Sequence, residues 1–221
     1  MWLKICGVTR PELARQIAAL GPDAIGLNFY SHSVRCVDRQ SAEQIVRELP
    51  ERVEPVGVFV NHSATEVIGI AASLGLRTVQ LHGDEPVSVA RTLTDAGLQI
   101  IRAFRVDESG LADVKQQLAD YTTTGVPLRA CLVDARVAGQ YGGTGERAPW
   151  DLLRKEWPKD WPPLVLAGGL TAENVATAIE QVRPWGVDTA SGVEASPGVQ
   201  DLAVVASYIT AARRAATRQS G

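Results

Sequence analysis

A chain of 221 residues with 45% hydrophobic and 21% charged side chains suits one large globular domain better than two. A formal net charge of −3, with no basic cluster, argues against nucleic acid or an anionic membrane as partner. Cys6, Cys36 and Cys131 are odd in number and widely spaced, which argues against a disulfide framework or a structural zinc site, and no run reaches the ~18 apolar residues of a membrane span.

The N-terminal stretch MWLKICGVTR lacks the apolar core and cleavage site of a signal peptide, so the expected compartment is the cytoplasm. Its WLKIC (2–6) is the first strand candidate, followed by PELARQIAALG (11–21), a helix pattern with Pro in its first turn and Gly at its end. DAIGLNF (23–29) precedes SAEQIVRELP (41–50), which reads as a helix capped by Ser41. EPVGVFV (54–60) precedes SATEVIGIAASLG (63–75), where Val67, Ile70, Ala71 and Leu74 form a helical stripe. RTVQL (77–81) leads to PVSVARTLTDAG (86–97), and QIIRAF (99–104) to GLADVKQQLADY (110–121). RACLVD (129–134) is followed by the weakest link, 137–162, with a short WDLLRKEW (150–157). LVLAG (164–168) runs into a helix pattern from Thr171, and GVDTA (186–190) into QDLAVVASYITAARRAA (200–216), with a frayed TRQSG tail.

Strand–helix alternation implies a parallel sheet. Eight such units without an internal boundary predict an α/β fold, a single (β/α)8 TIM barrel spanning 1–221. In that architecture chemistry sits at the C-terminal strand ends and the loops after them. Alternation puts Lys4 and Cys6 on one face of the first strand, away from Leu3 and Ile5. The other strands end at Asn28, Asn61, QLHGDE, the Arg102 and Arg105 pair, Asp134, Gly168–Gly169 and GVDTASGVE.

An isolated glycine pair is more often a tight turn than a binding site. Here GG follows the seventh strand and ASG the eighth, where barrels of this type commonly bind phosphate. Backbone N–H groups of Gly168, Gly169, Ser191 and Gly192 are therefore candidate phosphate donors, and the predicted ligand is a phosphorylated small molecule. A lone strand-end cysteine is usually a small buried hydrophobe, and an aspartate after a strand is often a cap. Together, Cys6 and Asp134 offer a base and an acid at one barrel mouth. Lys4, on the same strand face, is placed to lower the thiol pKa.

The motifs KICG, GLNFYSHSVR, VGVFVN, VQLHGDE, LVDA, GGTG, LAGGLTAENV and GVDTASGVE occur in one order across nearly the whole chain. This set resembles the phosphoribosylanthranilate isomerase family of tryptophan biosynthesis. The resemblance implies an Amadori rearrangement of N-(5-phosphoribosyl)anthranilate to 1-(o-carboxyphenylamino)-1-deoxyribulose 5-phosphate, with no metal and no organic cofactor. It implies Asp134 as general acid on the ring oxygen and Cys6 as general base at C2′. It further implies Arg35 as partner of the anthranilate carboxylate, His82 and Asp188 as substrate-positioning groups, and Gly142, Gly143 and Gly145 as a loop over the site. Family members occur as monomers and homodimers, and either state is expected.

Two departures from the family pattern stand out. Ser33-Val34-Arg35 replaces the usual Ser-Pro-Arg, which is expected to loosen the arginine, and Gln200 stands where a lysine is common. The rival readings are other phosphate-binding barrels, among them a metal-dependent epimerase, and a non-catalytic phosphate-binding barrel.

Overall fold

In the computed structural model, which describes residues 1–135 and 148–219, eight parallel strands close on themselves in chain order. They are β1 (Trp2–Cys6), β2 (Ala24–Asn28), β3 (Glu54–Phe59), β4 (Thr78–Leu81), β5 (Gln99–Val106), β6 (Ala130–Ala135), β7 (Leu164–Leu166) and β8 (Gly186–Thr189). The last strand returns to the first, with Lys4 opposite Asp188. The connecting helices are α1 (Pro11–Ala19), α2 (Arg39–Glu48), α3 (Ala64–Leu74), α4 (Val87–Asp95), α5 (Ala112–Thr124), α6 (Trp150–Glu156), α7 (Val175–Val182) and α8 (Leu202–Gln219). The expected barrel is therefore the observed one.

Strand alternation separates two cores. Leu3, Ile5, Ile25, Leu27, Val79, Leu81, Val133 and Leu166 face the helices and join one large apolar layer with them. Trp2, Ala24, Val56, Ile101, Ala103, Leu132, Val165 and Ala167 fill the barrel interior. At the N-terminal end, Arg129 Nη1 donates to Glu54 Oε1 at 2.7 Å and to Thr78 Oγ1 at 2.6 Å, while Trp2 stacks on Trp185. Side chains thus occupy that end of the barrel.

Local chemistry sets the helix ends, and three of them correct the sequence reading. α2 is capped by Asp38, whose side chain accepts from the Ser41 N–H at 2.9 Å, so Ser41 is the partner of the cap and not the cap itself. α3 starts at a full capping box between Ser63 and Glu66 and ends on left-handed Gly75. α7 begins at Val175, four residues after Thr171, because Asn174 folds the preceding turn: its Oδ1 accepts from Thr171 N–H and its Nδ2 donates to the Gly169 carbonyl. α8 continues through Thr217 and Arg218, where fraying was expected. A short 3₁₀ turn (Ser191–Val193) and a hairpin of β9 (Glu194–Ser196) and β10 (Val199–Gln200) between β8 and α8 were not anticipated. No described helix is long and apolar enough to cross a membrane.

Candidate active site

At the C-terminal mouth, one hollow is lined by Cys6, Arg35, His82, Asp134, Gly168, Gly169, Asp188, Ser191 and Gly192. Every residue singled out in the sequence as acid, base, substrate contact or phosphate donor therefore lines a single hollow. Gly142, Gly143 and Gly145 lie outside the described residues. Among the described residues, no group of three His, Cys, Asp or Glu side chains is arranged to hold a metal ion.

β1 delivers Cys6, and Gly7 after it turns the chain with φ +76°. A Cβ on Gly7 would lie 2.5 Å from Cδ of Arg35, so the glycine of KICG also lets the arginine stem cross directly over the strand end. Arg35 is then fixed by a two-pronged ion pair: Nε donates to Glu194 Oε1 and Nη2 to Glu194 Oε2, both at 2.7 Å. The hydrogen bonds to Glu194 hold the guanidinium pKa above its usual value against the opposing effect of burial. The loosening expected from Val34 is thus corrected. Glu194 and the Ser33 hydroxyl, which accepts from the Arg35 N–H at 3.1 Å, hold the loop without a proline. Nη1 of Arg35 has no partner among the described residues and is the edge left for a ligand.

Gln200, the second departure, is buried and donates from Nε2 to the Gly7 carbonyl at 3.0 Å. Its amide ties β10 to the turn carrying Cys6, so the missing lysine charge does not leave that turn unsupported.

Burial raises the Cys6 pKa, and the nearby Lys4 ammonium opposes this without cancelling it. The expectation that Lys4 lowers the thiol pKa is therefore corrected in net sign: desolvation outweighs the attraction. Across the mouth, His82 Nε2 stands 3.8 Å from Asp134 Oδ2, too long for a hydrogen bond. Gln80 Nε2 donates to His82 Nδ1 at 2.7 Å, which puts the imidazole proton on Nε2, the side facing Asp134. Burial, reinforced by Lys4, Arg105 and Arg102, pushes the His82 pKa down to about 3.

The depressed histidine has a thermodynamic signature. The unfolded chain takes up the proton near the ordinary value of 6.5, while the folded chain refuses it down to about 3. Stability contributed by neutral His82 is therefore present above the ordinary value and is lost as pH falls below it, at about 1.4 kcal/mol per pH unit for this group. Urea unfolding of His82→Asn is expected to show a shallower stability loss between about pH 6 and pH 4, by about one proton's worth of slope. Identical slopes in the two proteins would contradict the assignment of a neutral buried imidazole.

The loops after β7 and β8 meet through Gly192. A Cβ there would lie 1.9 Å from the Leu170 carbonyl oxygen, which also accepts from Thr189 Oγ1 at 2.8 Å. Gly168 and Gly169 both have positive φ, +82° and +59°, a backbone path that favours glycine. Outside their own turns, the N–H groups of Gly168, Gly169, Ser191 and Gly192 donate to no protein acceptor among the described residues. All four residues line the cavity, where unpaired backbone N–H groups are the kind of donor an anion takes.

Arg102, noted at a strand end, does not join this site. It lies with the outward residues of β5 and pairs with buried Glu85 at 2.7 Å, while Arg105 pairs with Asp84. Glu194, Gly26 and Glu85 are the residues the sequence reading missed. The signal available for Glu194 was the last letter of GVDTASGVE, an acid next to a loop that had to receive an arginine.

The family model described as N-(5'-phosphoribosyl)anthranilate (PRA) isomerase matches residues 3–211. N-(5'-phosphoribosyl)anthranilate isomerase of Trichlorobacter lovleyi is 40% identical over 96% of this chain and 98% of its own length. That of Pseudomonas aeruginosa is 43% identical over 96% and 94%. The crystal structure of the Thermotoga maritima phosphoribosyl anthranilate isomerase superposes with a TM-score of 0.85 at 34% identity, covering 97% of this chain and 99% of that one. Another structure of the enzyme, in complex with reduced 1-(o-carboxyphenylamino)-1-deoxyribulose 5-phosphate, gives 0.83 at 34% identity over the same shares. With a barrel and a sequence that agree with theirs along nearly the whole length, the chain belongs to the N-(5'-phosphoribosyl)anthranilate isomerase family.

Proposed function

We propose that this barrel isomerises N-(5'-phosphoribosyl)anthranilate to 1-(o-carboxyphenylamino)-1-deoxyribulose 5-phosphate by general acid–base catalysis, with Asp134 as the acid and Cys6 as the base. The observation that carries the assignment is that a thiol and a carboxyl group line one cavity together with an arginine and a set of free backbone amides. A sugar phosphate bearing an anthranilate offers matching groups: a phosphate for the amides, a carboxylate for Arg35, and a pentose between them.

The amides of Gly168, Gly169, Ser191 and Gly192 hold the phosphate, each as a fixed dipole that needs no reorganisation. Arg35 meets the anthranilate carboxylate through its Nη1 edge, since Glu194 occupies the other. Asp134, as the carboxylic acid, gives its proton to the furanose ring oxygen; the C1′–O bond breaks and the nitrogen lone pair forms the iminium. The Cys6 thiolate then takes the C2′ proton, and the C–H electrons flow toward the iminium to leave an enolamine. Tautomerisation of the enol to the ketone completes the product. The acid ends deprotonated and the base protonated, so the cycle closes when a proton returns from sulfur to carboxylate through solvent. Neutral His82 stands beside Asp134, its Nε2 3.8 Å from Oδ2, and bounds the side of the pocket where the acid works.

No step requires a metal, which separates this reading from the epimerase class of phosphate-binding barrels. Purified protein is expected to consume the fluorescent substrate with undiminished rate in excess EDTA. Turnover that appears only on adding a divalent cation would replace this scheme by a metal-assisted one. Tight binding of the substrate with no turnover would leave only a binding barrel.

A further inference from the structure

Directly below the thiol, the barrel interior holds a charge that the acid–base scheme leaves unused. Lys4 is fully buried, and its Nζ donates to Asp188 Oδ1 at 2.8 Å. Burying an ammonium costs several kcal/mol even after relaxation, so one placed inside a barrel needs a compensating reason. Asp188 satisfies one of three donor directions. Lys4 and Cys6 lie two residues apart on one strand face, and both converge on Gly26 of β2. A Cβ on Gly26 would stand 2.6 Å from Cys6 Sγ and 3.0 Å from Lys4 Cε. The bare α-carbon is thus what lets the sulfur and the lysine stem occupy one space.

We propose that Lys4 is a positioning residue for Cys6: its ammonium, aimed by Asp188, is the fixed counter-charge that stabilises the thiolate. This rests on Cys6 being the base. When the thiol loses its proton to solvent, the neutral Lys4–Asp188 pair becomes a triad with one net negative charge, spread over sulfur and carboxylate around a single ammonium. Asp188 therefore has two opposed effects. It holds Lys4 in place, and its own charge repels the thiolate.

The groups facing Cys6 can be ranked. Burial raises its pKa most, Lys4 lowers it, Asp188 raises it, and Arg35 from the loop after β2 lowers it. His82 and Asp134 line the same cavity, the first uncharged. Asp188 and Cys6 both hold the lysine protonated, its pKa lying above the ordinary value despite the opposing effect of burial.

The test is the pH dependence of Cys6 alkylation by iodoacetamide, measured without substrate. It uses a Cys36→Ser background, because Cys36 is exposed whereas Cys131 is buried. Lys4→Met is expected to raise the alkylation midpoint by about one pH unit or more, a roughly 10-fold loss of thiolate at a given pH. Asp188→Asn is expected to move the midpoint the opposite way. A merely structural pair would shift both variants in one direction or neither, and either result overturns the proposal. The double variant Lys4→Met/Asp188→Asn leaves no unpaired buried charge, so it remains informative if Lys4→Met fails to fold. Its midpoint is expected above that of Asp188→Asn, and equality overturns the proposal. Failure here is distinct from failure of the base assignment, which would instead appear as sustained turnover by Cys6→Ala.

Discussion

Cys6→Ala and Asp134→Asn are each expected to lower kcat by about 10²–10⁴-fold, with KM changed no more than a few-fold. The asymmetry follows from where each group acts. Neither side chain carries a charge or a donor that the ground-state substrate needs for binding, because the phosphate and carboxylate ends are held elsewhere. Both are needed only when a proton moves. Asparagine keeps the shape of Asp134 beside His82 but has no acidic proton for the ring oxygen, and alanine removes the only sulfur of β1 from the cavity.

The two variants should also fail at different steps. With Cys6→Ala, proton abstraction from C2′ becomes limiting, so deuterium at that carbon is expected to slow turnover further. With Asp134→Asn, ring opening becomes limiting and the same label is expected to have no effect. Steady-state fluorescence with labelled and unlabelled substrate measures both. Wild-type kcat in either variant removes that residue from its role, and an isotope effect in the aspartate variant would reverse the assignment of steps.

What could be read from the sequence depended on how local the determining interaction is. Gly and Pro punctuation and alternating apolar runs are local, and they located all eight strands to within a few residues. That Cys6 and Asp134 meet at one mouth was legible for the same reason, since both stand at strand ends. Helix starts were less so when two capping residues compete. Asp38 and Ser41 bond to each other, and either type is a good cap, so only backbone dihedrals distinguish them. The turn at 171–174 has the composition of a helix start, but the Asn174 side chain spends its hydrogen bonds on Thr171 and Gly169 and delays the helix.

Long-range partners were not legible at all. Arg35 and Glu194 are separated by 159 positions, and Gln200 and Gly7 by 193. Closing the barrel brings β8 and its following hairpin against β1, and nothing in a local window encodes that meeting. The same closure pairs Lys4 with Asp188, a partner 184 positions away that the strand-face position of Lys4 does not reveal.

A second large effect is expected from Glu85, a residue outside the cavity. Glu85→Ala should lower global stability by about 3–5 kcal/mol, the usual result of leaving one member of a buried ion pair alone. Glu85 and Arg102 are 1% and 5% exposed at their side chains and meet at 2.7 Å, so solvent cannot replace the lost partner. The carboxylate does more than neutralise Arg102. It accepts from the Asn61 N–H at 2.7 Å and from the Gly83 N–H at 3.0 Å, joining the loop after β3 to the loop after β4. Those loops touch where Gly83 leaves no room for a side chain, its Cβ position lying 2.4 Å from Asn61 Oδ1. A double variant, Glu85→Leu/Arg102→Met, separates the two contributions. If the ion pair alone matters, removing both charges restores nearly all the stability. Because two backbone amides also lose their acceptor, the double variant is expected to remain about 1–3 kcal/mol below wild type. His82 precedes Gly83, so its ring is expected to lose its fixed approach to Asp134, and kcat in the folded double variant should fall while KM for the phosphorylated substrate holds. Full recovery of urea stability and of kcat together would mean that Glu85 serves only as a counter-ion.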